Sequence, residues 1–374
     1  MLKKALALVA GLLVTFAAYA ATAQLRADHP STYVVKKGDT LWGISARFLA
    51  KPWLWPEIWD VNQQVYNPHL IYPGDVLQLG ADNRLRVTQR SSETTTPIPT
   101  IPLSAIEPFL HDLRVMTADQ LTHAPYVVGL EENQPRAVEG QFVYVRGLSA
   151  APGQRFAVAR PTHVYRAYSS SVSPIPVEVG HLLNSDVEVV ESPWSEDFRN
   201  DNMMGRGREI GTEAEIIGTV QVLRGGDPAT TLLTNAKMEI RRGDRLLPVD
   251  DTPYDATFYP HPARSIPPFA LVLAFTNGMD STSTEGPLSV VALSVGRADG
   301  VDDGTTYSID RPGVVIADDV AGDSEHRDLG PHVRLPAEFV GHVMVFRVFD
   351  HVSYGLVMDG IKPVHIRDEL QLPQ

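Results

Sequence analysis

Three closely spaced aspartates are the clearest candidates for chemistry in this sequence. Asp299, Asp302 and Asp303 lie within residues 298–304, which read Ala-Asp-Gly-Val-Asp-Asp-Gly. Such a group could bind calcium or provide a pair of catalytic carboxylates. Aspartate and glycine also form tight turns, because glycine accepts positive φ angles and aspartate bonds to nearby backbone. We therefore favour a β-turn, and calcium binding stays open.

The residue patterns of most hydrolytic enzymes are absent. The sequence has no cysteine, which excludes thiolate nucleophiles, disulfides and zinc–sulfur sites. Its 12 histidines form neither His-x-His nor His-Glu-x-x-His, so a zinc peptidase lacks its ligands. No Gly-x-Ser-x-Gly or Ser-x-x-Lys provides an activated serine. A glycosidase needs only two carboxylates, so that class survives as an alternative to a non-catalytic protein. We expect no catalytic residue, no metal and no cofactor.

Composition limits the class of partner. The chain has 374 residues and is 43% hydrophobic, enough for two or three domains with sizeable cores. Its formal net charge is −13, which argues against a nucleic-acid partner because phosphate binding needs clustered Lys and Arg. The sequence leaves the oligomeric state open, including a homo-oligomer.

The first 23 residues have the pattern of an export signal. Lys3 and Lys4 precede an apolar stretch over residues 5–18, and two Ala-x-Ala sites end at Ala20 and Ala23. The stretch is shorter than the ~20 residues that a bilayer span needs. We therefore predict a cleaved signal peptide over residues 1–23 and a periplasmic protein, with an uncleaved anchor as the alternative. Without cysteine, a lipid-anchored N-terminus is not expected.

The next fifty residues predict a strand, two helices and a strand. Residues 32–35 are β-branched and aromatic, which favours a strand that Gly38 ends. Asp39 or Thr40 can cap a helix whose apolar residues recur at helical spacing. A second helix is predicted near Pro56, and a final strand over residues 76–79.

These residues resemble a LysM domain over residues 31–80. The likeness is carried by Lys37-Gly38-Asp39-Thr40-Leu41-Trp42 and by Asn67-Pro68 with Ile71-Tyr72-Pro73-Gly74-Asp75. LysM domains bind peptidoglycan and chitin-type glycans through N-acetylglucosamine, in a groove between the first strand–helix loop and the second helix–strand loop. The resemblance implies that the glycan-binding residues are Gly38, Asp39, Thr40 and Leu41 on one wall, and Leu70, Ile71, Tyr72 and Pro73 on the other.

Three tryptophans cluster where the two predicted helices are joined. Trp53, Trp55 and Trp59 fall within seven residues. We favour a hydrophobic brace for a very small domain. An aromatic platform for a sugar or a partner is the alternative.

Residues 81–103 are predicted to be a flexible linker. Ser, Thr and spaced prolines dominate residues 91–102, and such residues favour extended chain over a packed core. Ser104-x-x-Glu107 then has the pattern of a capping box that opens a helix through Leu113, and Thr117-x-x-Gln120 repeats the pattern.

The remainder predicts a predominantly β region with a weak internal repeat. Short apolar strands alternate with Gly, Pro and Asp turns. Gly218-x-Val-x-Val-x-Arg is followed by Arg-Gly-Asp-Arg-Leu246, and Gly341-x-Val-x-Val-x-Arg by Arg-Asp-Glu-Leu370. Each unit predicts a strand, a hairpin, a strand and a turn into a closing strand.

Residues 269–370 resemble the carboxy-terminal domain of the flagellar assembly protein T family. With the LysM-like part, the layout is similar to the type IV pilus secretin-associated proteins. The likeness is carried by Trp53-x-Trp55-Pro-Glu-x-Trp59, by residues 124–128 and by Gly341-x-Val-Met-Val-Phe-Arg347. It implies a periplasmic protein that anchors an outer-membrane secretin ring to the cell wall.

The predicted fold class is α+β: a βααβ LysM module, a flexible linker and a predominantly β C-terminal region of small barrel- or sandwich-like units. The predicted domains are a signal peptide (1–23), a LysM domain (31–80), a linker (81–103), a helical lead-in with a β-rich middle domain (104–250) and a β-rich C-terminal domain (251–374). The predicted function is a non-catalytic adaptor between peptidoglycan and a secretin. A generic wall-anchored scaffold and a murein glycosidase are the alternatives.

Overall fold

The computed structural model describes residues 24–58, 71–89, 98–101, 106, 113–167, 187–189, 208–249, 258–268, 270–275, 284, 286–318 and 332–373. The chain forms two compact units, residues 1–101 and 102–374. The predicted signal peptide lies outside the described residues. No described helix is long and apolar enough to cross a membrane.

The first unit is a three-stranded antiparallel sheet with short helices. Strands β1 (Thr32–Val34), β2 (Val76–Leu79) and β3 (Leu85–Gln89) pair in that order. Between β1 and β2 lie α1 (Leu41–Phe48), a 3₁₀ turn (Pro52–Leu54) and α2 (Trp55–Ile58). The strand at 76–79 and the helix that begins at Leu41 are where the sequence predicts them.

Helix α1 begins where Thr40 provides a cap. The Thr40 hydroxyl accepts a hydrogen bond from the Gly43 N–H at 3.1 Å, satisfying one of the unpaired donors of the first turn. Trp42, Ile44 and Phe48 are buried, so these side chains belong to the core of the unit.

The predicted linker of residues 81–103 contains parts of the first unit. β3 lies within it and pairs with β2, and the backbone of residues 98–101 is hydrogen-bonded to the unit. Local composition favours extended chain here. The described residues of this stretch are extended, and their backbone is hydrogen-bonded to other parts of the first unit.

The second unit is built almost entirely of strands. They are β4 (Leu113–Met116), β5 (Tyr126–Leu130), β6 (Phe142–Arg146), β7 (Arg155–Ala167), β8 (Val187–Val189), β9 (Arg208–Arg224), β10 (Ala229–Ala236), β11 (Arg245–Pro248), β12 (His261–Pro262), β13 (Val272–Phe275), β14 (Val290–Leu293), β15 (Thr305–Arg311), β16 (Val315–Ala317), β17 (His332–Arg334), β18 (Glu338–Val348), β19 (Ser353–Gly360) and β20 (Glu369–Gln371). A short helix, α3 (Ala118–His123), and two 3₁₀ turns (Glu131–Asn133 and Arg297–Asp299) accompany them.

Six of these strands form a closed antiparallel barrel. Their order is β7-β9-β10-β6-β5-β11, and β11 pairs with β7 to complete the ring. The interior is apolar, with Val143, Val158, Ile217 and Leu233 fully buried. The long paired strands β7 and β9 continue past the ring, where β4 pairs with β9 and β8 pairs with β7.

A second barrel repeats the same order of strands. The ring β15-β18-β19-β14-β13 is completed by β20, which pairs with β15 and meets β13 through a Leu271–Glu369 bridge. The predicted repeat is confirmed: its two copies are β9-β10-β11 and β18-β19-β20, and each closes a barrel.

Each barrel has an equivalent arginine–aspartate pair. In the first, Arg160 donates to Asp244 at 2.8 and 2.9 Å and to the Glu239 carbonyl. In the second, Arg311 donates to Asp368 at 3.2 Å and to the Pro363 carbonyl. Both aspartates are buried and lie just before the closing strand. The pair therefore ties that strand to the neighbour that completes the ring.

A buried carboxylate joins the two barrels. Glu213, on the extension of β9, accepts hydrogen bonds from Tyr165 of β7 at 2.6 Å and from Tyr354 of β19 at 2.7 Å. His163 and Thr162 donate to its other oxygen at 2.8 and 3.0 Å. Because Tyr354 belongs to the second barrel, this cluster holds the two rings together.

The predicted α+β class is wrong, because the protein is mostly β. Within the described residues the α-helices have eight, four and six residues, against twenty strands. The capping box at Thr117 is confirmed, but its helix is short. The predicted helix from Ser104 lies outside the described residues except for Ile106, and Leu113 begins a strand. Cap signals locate where helices start and do not set their length.

Candidate functional site

The first strand–helix loop is braced by Asp39. The Asp39 carboxylate accepts hydrogen bonds from the Lys36 N–H at 2.7 Å and from the Tyr33 hydroxyl at 2.9 Å. Burial, together with the Asp39 carboxylate, raises the pKa of Tyr33, so that hydroxyl stays a donor. Gly38 has a φ of 93°, a conformation that favours glycine. Asp39 therefore shapes the loop, and Thr40 caps the helix.

The loop before β2 is braced in a similar way. Asp75 is fully buried, and its carboxylate accepts from the Tyr72 N–H at 3.0 Å. Gly74 has a φ of 97°. Its N–H donates to the Val35 carbonyl at 2.8 Å, and the Val35 N–H donates to the Asp75 carbonyl at 2.9 Å. These bonds tie the second loop to the end of β1 and thus to the start of the first loop.

Residues 98–101 bond to both loops. The Ile98 N–H donates to the Ile71 carbonyl at 2.8 Å. The Pro99 carbonyl accepts from the Leu41 N–H at 3.0 Å, and the Thr100 carbonyl accepts from the Trp42 N–H at 3.1 Å. Three backbone groups at the ends of the two loops thus bond to one short extended segment.

The side chains of this segment are buried. Ile98, Thr100 and Ile101 are 6%, 3% and 0% exposed. They belong to the predicted linker, and the signal for their packing is a pair of isoleucines three positions apart in a Pro/Thr stretch.

The structure brings the predicted binding residues to two neighbouring loops, but with unequal exposure. Gly38 is exposed, and Asp39, Thr40, Tyr72 and Pro73 are partly exposed. Leu41 and Ile71 are 2% and 1% exposed. Their side chains therefore belong to the core, and their backbone groups make the contacts at the loops. Leu70 lies outside the described residues.

Two of the three clustered tryptophans are part of the core. Trp53 and Trp55 are 2% and 3% exposed, and the Trp53 ring lies 6.1 Å from that of Trp42. The brace is therefore confirmed for these two, while Trp59 lies outside the described residues.

The aspartates near residue 300 form turns. Asp299 accepts from the Gly296 N–H at 2.9 Å, and Asp302 accepts from the Thr305 hydroxyl at 2.7 Å. Gly300 and Gly304 have φ angles of 81° and 96°. Across the part of the chain that the structure describes, no three acidic, histidine or cysteine side chains converge as metal ligands would.

Comparison with known proteins assigns the braced loops to a family. Residues 33–80 match the LysM domain family. This segment is a LysM domain. The chain is also similar to the uncharacterized protein YqbP of Bacillus subtilis (strain 168), with 38% identity over 13% of this chain and 27% of that protein. The match thus covers about a quarter of that relative.

The match includes both braced loops and ends before β3. β3 and residues 98–101 are therefore additions to the LysM domain within the same unit. A LysM domain binds peptidoglycan or other carbohydrate, so the first unit is a carbohydrate-binding unit.

Proposed function

We propose that the protein is a non-catalytic adaptor, which binds N-acetylglucosamine-containing peptidoglycan with its LysM domain and a protein partner with its two barrels. The observation that carries the first half is the pair of braced loops within the LysM match. Their backbone N–H groups at Leu41 and Trp42 and their carbonyl at Ile71 are directed to one place, where residues 98–101 now bond.

These backbone groups suit the chemistry of an N-acetyl sugar. Its acetamido group carries one N–H donor and one carbonyl acceptor, which can bond to a carbonyl and an N–H of the protein. Its ring and methyl faces need flat apolar surfaces, which the partly exposed Tyr72 and Pro73 offer. The glycan-binding residues of the proposal are Gly38, Asp39, Thr40, Leu41, Leu70, Ile71, Tyr72 and Pro73.

Sedimentation with purified sacculi tests this half. We expect the full chain to sediment with sacculi and to be released by N-acetylglucosamine oligomers. Tyr72→Ala removes an apolar wall and should weaken binding about tenfold. Val34→Ala, at an exposed position of β1 in the same unit, is the matched control.

Three outcomes would change the proposal. A folded chain that fails to sediment would refute glycan binding. An equal loss of binding in both variants would show that the groove does not lie at these two loops. Release of reducing sugar from peptidoglycan would move the protein to the glycosidase class.

For the second half, we propose an outer-membrane secretin ring as the protein partner and the periplasm as the location. The proposal rests on the resemblance of residues 269–370 and on the fold of the second unit. Both barrels are closed rings, and a closed ring whose interior is filled with apolar side chains leaves its outer surface to bind a partner.

Recovery from cross-linked envelopes tests the partner. A tagged full chain, expressed in a strain that makes type IV pili, should co-purify with the secretin. Its N-terminal residue should follow Ala20 or Ala23 if the signal peptide is cleaved. Envelopes that yield the chain without any secretin would leave a generic wall-anchored scaffold.

A further inference from the structure

The LysM loops are already bonded to a segment of their own chain. Residues 98–101 take up the Ile71 carbonyl and the Leu41 and Trp42 N–H groups, which are the groups proposed above for the glycan. We propose that this segment is an internal ligand of the groove, which the glycan must displace. This inference rests on the proposed glycan binding at the two loops.

The segment offers the same hydrogen-bonding groups as an acetamido sugar. The Ile98 N–H reaches one loop at 2.8 Å, and the Pro99 carbonyl reaches the other at 3.0 Å. A donor and an acceptor from one short peptide thus bond to the carbonyl and the N–H that are assigned above to the glycan. Because each backbone donor has a single hydrogen, Leu41 cannot bond well to both ligands at once.

The segment and the glycan also compete for the same space. Ile98, Thr100 and Ile101 are almost wholly removed from solvent, so they fill the space beside the loops. A sugar ring that reaches the Ile71 carbonyl needs that space. Occupation by glycan therefore requires that residues 98–101 leave.

The segment competes well because it is tethered and partly rigid. Only eight residues separate it from the end of β3, and a short tether gives an effective concentration of the order of millimolar. Pro99 fixes one backbone angle, which lowers the entropy lost when the segment binds. The apparent affinity for glycan is then the intrinsic affinity reduced by the fraction of open groove.

Hydrogen exchange of the full chain, with and without the N-acetylglucosamine tetramer, tests the displacement. We expect the amides of Ile98, Thr100 and Ile101 to exchange faster when the tetramer is bound, while those of β1 and β2 stay protected. The amides of Leu41 and Trp42 should stay protected, because the sugar replaces the peptide carbonyls.

Two substitutions open the groove without touching the loops. Ile98→Asp places a charge at a buried position, which expels the segment, and should raise the apparent affinity for the tetramer about tenfold. Val34→Asp makes the same kind of change at an exposed position and should leave the affinity unchanged. Pro99→Gly keeps the carbonyl and loosens the segment, and should raise affinity about threefold. It serves as the test if Ile98→Asp fails to fold.

The outcomes separate this inference from the proposed function. Tetramer binding while residues 98–101 keep their protection would overturn the internal ligand and leave glycan binding standing. Tighter binding by the opened variants than by the native chain would support both. Absence of binding in the native chain and in every folded variant would refute both.

Discussion

The hydroxyl of Tyr354 should contribute substantially to the free energy of unfolding of the second unit. It donates to the Glu213 carboxylate at 2.7 Å, and both side chains are buried. Tyr354→Phe removes that oxygen and leaves the ring in place. A hydrogen bond to a charged acceptor contributes about 1.5–3 kcal/mol. We therefore expect the free energy of unfolding of this unit to fall by about 2 kcal/mol.

A matched variant distinguishes the loss of a contact between the barrels from the loss of one hydrogen bond to Glu213. Tyr165→Phe removes a hydroxyl from the same carboxylate oxygen, at 2.6 Å, but Tyr165 and Glu213 both lie on strands of the first barrel, β7 and β9. We expect a similar loss for the first barrel. Only Tyr354→Phe should also weaken the contact between the barrels.

The cluster predicts a pH dependence with a definite sign. Burial raises the pKa of Glu213, but the hydrogen bond and charge of His163 and the hydroxyls of Tyr165 and Tyr354 outweigh burial, and the pKa is lowered from its ordinary 4.5. A lowered pKa in the folded state means that the stabilisation is complete above that ordinary value and is lost as pH falls through the folded value. Glu213→Gln should remove this part of the acid sensitivity.

Scanning calorimetry is the suitable assay. Four of the five tryptophans lie within residues 42–59, so tryptophan fluorescence reports mainly the LysM unit. A loss of 2 kcal/mol should lower the Tm of the larger unit by about 4–8 °C. A change below about 0.5 kcal/mol for Tyr354→Phe at neutral pH would refute the proposed joint.

Three further substitutions test other contacts. Asp244→Ala leaves Arg160 without its carboxylate partner in a partly buried site and should cost about 3 kcal/mol, whereas Asp350→Ala, at an exposed pair with Arg297, should cost less than about 0.5 kcal/mol; equal losses in urea unfolding would contradict the role of burial. Thr117→Ala removes the cap of α3 and should cost about 1 kcal/mol, measured the same way. Gly341→Ala would bring its Cβ within 2.2 Å of a neighbouring backbone oxygen, so we expect reduced soluble yield beside a Gly286→Ala control, where no atom lies within 4 Å of the added Cβ.

The LysM domain was predictable because its signals are local. Gly38, Thr40 and Gly74 lie at turns and caps whose geometry depends on a few neighbouring residues, and the structure has them there. Residues 98–101 were missed because their partners, Ile71 and Leu41, are distant in sequence. Composition alone makes the segment resemble a linker.

The barrels show the same limit on a larger scale. The repeat of Gly218–Leu246 and Gly341–Leu370 predicts two equivalent units of strands, since a duplicated pattern favours a duplicated fold. Ring closure depends on the pairing of β13 with β20. These two strands lie at opposite ends of the second barrel's sequence. Short cap signals such as the one at Thr117 gave helices too much weight in the predicted fold class.

The strand that closes each barrel is also the last of its ring to be synthesised. β11 follows the five other strands of the first ring, and β20 follows those of the second. Until β20 arrives, β13 and β15 expose unpaired backbone, which can pair with another chain. Folding of the second barrel must therefore wait for a long-range contact that forms slowly. A truncation that removes β20 would leave most contacts intact and still produce a chain prone to aggregate.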